Sequence, residues 1–252
     1  MSGAPNSTAA VSSDPKADGD GRQAGILLTS TAIDTFGSGL NYATLSLFLI
    51  RLVGLSGATV GIVIGVAAGV ALPGSYLVGR VVDSIGPRRP LIGTYYLQGA
   101  AAALLPVASG AIEVCLVLAA LMFFTEGSRA TRYAVMAWIG ASGGVSLRGG
   151  STVVSNVGVA LGVGAGGLII GSGDTSLLRW ALWANAATFV IAALIQQRLA
   201  EIPPVRGEST ADGSVESRPL SSPFKDVAYL PVFLANTVLM IQAQVLTLGY
   251  PL

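Results

Sequence analysis

Apolar stretches of about 20 residues recur along this chain with short polar turns between them. That spacing constrains the fold more than any other feature, because about 20 residues of helix cross the hydrocarbon of a bilayer. The stretches fall at 24–50, 60–82, 90–108, 112–137, 151–170, 178–195 and 227–248. Only 11% of the residues are charged and 52% are hydrophobic. A soluble domain carries roughly a quarter charged residues to cover its surface. The expected fold is therefore an all-α integral membrane protein, and the first expected partner is the lipid bilayer.

Several chemistries are excluded early. The net charge of +1 gives no case for nucleic-acid binding. Cys115 stands alone, so no intrachain disulfide forms. The chain has no histidine, which removes His-based metal sites and Ser–His catalysis. No enzyme activity, cofactor or metal is expected. Gly162, Gly164 and Gly167 satisfy G-x-G-x-x-G, but a dinucleotide site needs a preceding strand and a following acid. Inside an apolar segment such glycines read as packing. Gly140-Ala-Ser142-Gly143 resembles the serine motif of rhomboid proteases, which need a histidine base absent here.

Residues 1–22 are Ser, Ala, Pro, Gly and Asp without an apolar run and read as a disordered tail. The domain expectation is this tail, a six-helix unit over 23–198, a linker over 199–224, and one more helix over 225–252. The basic residues set the orientation. Lys16, Arg22, Arg80, Arg88, Arg89, Arg148, Arg198, Arg206, Arg218 and Lys225 share the tail's side; Arg51 and Arg179 take the other. The tail is thus expected in the cytoplasm, in the cell membrane of its host.

Segment one carries Thr31, Asp34, Ser38, Asn41 and Tyr42 at spacings of three and four, one helical face that suits a wet cavity. Segment two repeats glycine at 61, 65 and 69, a row that lets another helix approach closely. Segment four carries Glu126, Arg129 and Arg132. A charge at mid-membrane costs about 2.5–3.5 kcal/mol, so these must pair or face water. Asp34 and Glu126 are candidate proton-binding carboxylates. Fixed ion pairs are the competing reading: Glu126 with Arg129, and Asp34 with an arginine across the cavity.

Between segments two and three the chain reads Gly79-Arg-Val-Val-Asp83-Ser-Ile-Gly86-Pro-Arg88-Arg89. The pattern G-x-x-x-D-x-x-G-x-R-R resembles the loop between helices two and three of the major facilitator superfamily. The resemblance implies a gating loop of Gly79, Asp83, Gly86, Arg88 and Arg89, whose acid contacts a neighbouring helix end and the basic residues. Ser84 and Pro87 stand where that family usually has basic residues. In segment five Gly149, Gly158, Gly162, Gly166 and Gly167 are spaced G-x8-G-x3-G-V-x2-G-G. This resembles the antiporter signature of the drug-exporting facilitators, with Val163 in place of proline. A plain packing row is the competing reading.

The resemblance spans residues 24–252 and implies a six-helix N-terminal half, built as 3+3 inverted repeats, plus a seventh helix of an incomplete second half. A full member has twelve helices, so the chain reads as truncated. The implied function is proton-coupled efflux of a drug or other small molecule by alternating access. A C-terminal half or a second copy is the implied protein partner. A nutrient uniporter or importer and a non-transporting remnant are the alternatives.

Overall fold

The fold of the chain, a computed structural model, is described over residues 15–140, 145–203 and residue 231. It is helical in seven pieces: α1 Pro15–Arg51, α2 Gly57–Ala71, α3 Gly74–Ile85, α4 Arg88–Leu104, α5 Ala111–Gly140, α6 Val145–Gly171 and α7 Thr175–Gln196. Gly57–Ile85, Ala111–Gly140, Leu147–Gly171 and Thr175–Gln196 are each long and apolar enough to cross a bilayer. α1 dilutes its apolar run with the polar face, and α4 is only 17 residues long.

The breaks have local causes. Segment two is not one helix: Pro73 lacks an N–H and clashes with the preceding turn, so α2 ends at Ala71 and α3 begins at Gly74. The two count as one crossing, which makes segments three to six α4 to α7. Pro106 likewise ends α4 in a 3₁₀ turn over Leu105–Val107, short of the expected 108. Ser56 caps α2 by accepting from the Thr59 N–H at 3.1 Å, and Asp174 caps α7 by accepting from the Ser176 N–H at 2.8 Å. Gly54, at φ 79°, reverses the chain between α1 and α2.

α1 starts earlier than expected. Residues 15–22, read from sequence as part of a disordered tail, are its first two turns. Adding turns to an already packed helix costs little nucleation free energy, and proline is tolerated at a helix start. The Gln23 side chain also accepts from the Ala200 N–H at 2.9 Å, tying this end to the chain after α7. At 37 residues α1 is about 55 Å long by its rise per residue, more than the bilayer requires. The chain after α7 does not leave the helices at once, either. Leu199 and Ile202 are buried and join the apolar core. The expected helix at 225–252 and most of the expected linker lie outside the described residues.

The packing order carries a symmetry. α1 packs on α6 and α7, α4 on α7 and α5, and α2–α3 on α5. In crossings, these pairs are one–five, one–six, three–six, three–four and two–four. Exchanging crossings one to three with four to six maps this set onto itself. One–five becomes four–two, one–six becomes four–three, and three–six returns to itself. A pair of three-helix repeats has this property.

The apolar core of Leu27, Phe48, Leu91, Tyr95, Leu105, Leu118, Leu178 and Leu182 lies where these helices meet. Large apolar side chains on the outside, including Ile62, Leu72, Ile112, Leu168 and Trp180, stay exposed. Apolar residues covering the outside suit a helix bundle whose surroundings are lipid rather than water.

Candidate functional site

One cavity, about 500 Å³ in volume, is lined from α1, α4, α5 and α6. From α1 it receives Asp34, Thr35, Ser38 and Tyr42; from α5, Thr125, Ser128, Arg129, Arg132, Tyr133 and Met136. α4 gives Gln98, and α6 gives Arg148, Ser151, Thr152, Ser155 and Val159. The expected polar face of segment one therefore splits. Asp34, Ser38 and Tyr42 line the cavity, while Thr31 and Asn41 are buried among helices instead.

At the cavity wall three helices converge on one carboxylate. Asp34 of α1 is 6% exposed. Arg132 of α5 donates from Nη2 to Asp34 Oδ2 at 2.7 Å, and the fully buried Tyr95 of α4 donates its hydroxyl to the same oxygen at 2.9 Å. Arg132 Nη2 also lies 2.5 Å from the Tyr95 hydroxyl, and its guanidinium sits 5.8 Å from the Tyr95 ring centre. The charge-assisted bonds offset the desolvation of both ions, which alone would be costly in a dry interior. Beside this cluster Thr125 donates to Gln98 Oε1 at 3.1 Å, and Gln98 Nε2 donates to the Thr94 carbonyl at 3.2 Å.

Glu126, expected as a possible cavity acid, lies outside the lining. It pairs with Arg129 at 3.1 Å, one turn along the same helix. Tyr95, Gln98 and Thr125 were not singled out from sequence. The signal for Tyr95 and Gln98 was there in α4 as Thr94, Tyr95 and Gln98, a second polar stripe with helical spacing. α6 shows the same with Arg148, Ser151, Thr152 and Ser155.

The expected gating loop is shorter than a loop. Gly79 and Asp83 belong to α3, Gly86 turns the chain at φ 82°, and Arg88 already begins α4. Only Gly86 and Pro87 connect the helices, because a left-handed glycine lets the reversal close in two residues. Asp83 is exposed, and among the described residues it forms no ion pair. The acid that meets the arginines is Glu201, 3.6 Å from Arg88 and 3.7 Å from Arg89. Arg88 also donates to the Gln197 carbonyl at 2.6 Å, and Gln197 donates to the Tyr96 hydroxyl at 2.7 Å.

The two glycine rows part company. On α6 a side-chain carbon at Gly158 would collide with Thr35, at Gly162 with the Phe36 carbonyl, and at Gly166 with Ala43. These three glycines hold α6 against α1; Gly149 and Gly167 face open space. Gly61, Gly65 and Gly69 of α2, expected to receive another helix, also face open space among the described residues. Gly164 is likewise open, and the helix around it leaves no strand for a dinucleotide turn.

Among the described residues, a helix bundle with the packing symmetry of two three-helix repeats and a charged cavity is the frame in which the family comparison stands. Residues 27–252 match the Major Facilitator Superfamily. The chain belongs to that superfamily. It is therefore a multi-pass membrane transporter protein of the facilitator kind, and its expected all-α facilitator fold agrees with the helices described above. No curated protein matches the chain at a significant level.

Proposed function

We propose that this facilitator is a proton-coupled exporter of a drug-like or other small molecule, with Asp34 as the carboxylate that takes and releases the proton. The observation carrying this reading is the placement of Asp34: nearly buried, at a cavity wall, and held by an arginine from another helix. An adjacent arginine favours the charged carboxylate, and burial without it favours the neutral form. A motion that separates α1 from α5 would take Arg132 away from Asp34, and closing would restore the pair. The glycine spacing of α6 supports the exporter type, with Gly149, Gly158, Gly162, Gly166 and Gly167 as its antiporter-like set. The gate is placed at the turn at Gly86, with Gly79 and Asp83 on the helix before it and Arg88 and Arg89 on the helix after it. The cell membrane, with the N-terminus in the cytoplasm, is the proposed location. A C-terminal half or a second copy supplies the opposite wall that alternating access requires.

Asp34→Asn tests this. It keeps the size and much of the hydrogen bonding but cannot carry the proton. Export driven by a pH gradient is abolished while expression stays normal; undiminished export removes Asp34 as the coupling site.

A second reading is favoured by the completeness of the Asp34–Arg132–Tyr95 cluster: a fixed brace between α1, α4 and α5. The double variant Asp34→Asn/Arg132→Gln separates the two. A brace survives the exchange of ions for neutral hydrogen-bonding groups, and transport persists. A coupling site does not, and pH-driven transport stays absent in a folded protein.

A further inference from the structure

We infer that the cavity takes an organic anion, a carboxylate or a phosphate ester, with Arg148 as its counter-charge; this rests on the transport reading above. The argument is a charge balance. Three arginines line the cavity and one carboxylate does. Arg132 is matched by Asp34 at 2.7 Å, and Arg129 by Glu126 at 3.1 Å from just outside the lining. Arg148 has no such match: among the described residues no carboxylate lies within ion-pair distance of it.

Arg148 is exposed and lines the cavity, so its guanidinium is open to an incoming anion. Its planar fork suits a carboxylate or phosphate, which it can bind through two parallel hydrogen bonds. Arg148 also lies in the opening turn of α6, where the helix's own unpaired N–H groups add partial positive charge. Ser151 and Ser155, one and two turns further along α6, line the same cavity and can donate hydroxyls to further substrate oxygens. A cationic substrate would meet the reverse: three arginines and a carboxylate that is already engaged.

The test uses three probes with one ring system and different charge: 1-naphthoate, 1-naphthamide and 1-naphthylmethylammonium. Binding to the purified full chain in phosphatidylcholine nanodiscs is read from probe fluorescence anisotropy. Naphthoate is expected to bind about tenfold tighter than the amide, with the ammonium weakest. Arg148→Gln removes the preference for the acid, and Arg148→Lys, which keeps the charge but not the fork, retains part of it. Equal binding of the three probes, preference for the ammonium, or no binding of naphthoate overturns the assignment. So does an acid preference that survives Arg148→Gln. Displacement of naphthoate by phosphatidylglycerol in the nanodisc also overturns it, because Arg148 would then serve a lipid headgroup. The transport reading fails elsewhere, on undiminished pH-driven export by Asp34→Asn, so the two outcomes are separable.

Discussion

Two arginines one helical turn apart on α5 hold carboxylates in opposite ways. Arg132 reaches across to α1, where its pair with Asp34 is 2.7 Å long and the side chains are 15% and 8% exposed. Arg129 reaches back along its own helix to Glu126, with side chains 54% and 35% exposed. The first pair ties the position of one helix to the charge on another. The second ties nothing together, since both ends ride on the same rigid element. Spacing in sequence made the two arginines look equivalent, and the direction each side chain takes separates them.

Breaking the buried pair should have the largest effect. Arg132→Ala removes the ion-pair partner of the nearly buried Asp34, and breaking a buried pair costs about 3–5 kcal/mol. Reversible denaturant unfolding of the full chain in detergent micelles would read it. Tyr95→Phe removes one hydrogen bond to the same carboxylate and keeps the ring, with an expected cost of about 1.5–3 kcal/mol in the same measurement. Glu126→Gln should cost about 0–1 kcal/mol, because an exposed pair is screened and its side chains lose freedom on pairing. If Glu126→Gln proved as damaging as Arg132→Ala, the contrast between the pairs would be gone. The smallest effect is at Asp174, whose carboxyl is held below the usual range by the Ser176 hydroxyl and then by the Ser176 N–H. A lowered native value means the cap contributes above the ordinary carboxylate range and is lost as pH falls through the native value. Asp174→Asn should therefore flatten a slight acid-side loss of stability in a pH series.

How much of this was legible in the sequence depends on what each residue needed to know about its neighbours. The helices were legible because length and apolar composition are properties of one helix. The break at Pro73 was legible in principle, since proline acts on its own turn, yet the continuous apolar run across it masked the interruption. The start of α1 at Pro15 was not, because local composition favoured disorder there and the packed remainder of the helix extended it. Glycine rows at 61–69 and 158–166 have one spacing and two environments. The spacing says a helix can be approached closely, and only packing says which one is. The Asp34 partner followed the same rule. An arginine across the cavity was a fair expectation from charge cost alone, whereas Tyr95 as a third member required α4 to be placed beside α1 and α5. Glu201 was passed over because it follows α7 in a polar stretch, and only the docking of Leu199 and Ile202 brings it to Arg88.

The most direct measurement of the central claim counts protons. Purified full chain in weakly buffered detergent solution is mixed with a compound that it binds, and the change in bulk proton concentration is followed with a pH indicator. If Asp34 is the coupling carboxylate, the wild-type protein gives a substrate-dependent proton signal that saturates with the protein, and Asp34→Asn gives none while still folding. An equal proton signal from Asp34→Asn would contradict the account and leave the Asp34–Arg132–Tyr95 cluster as a structural brace.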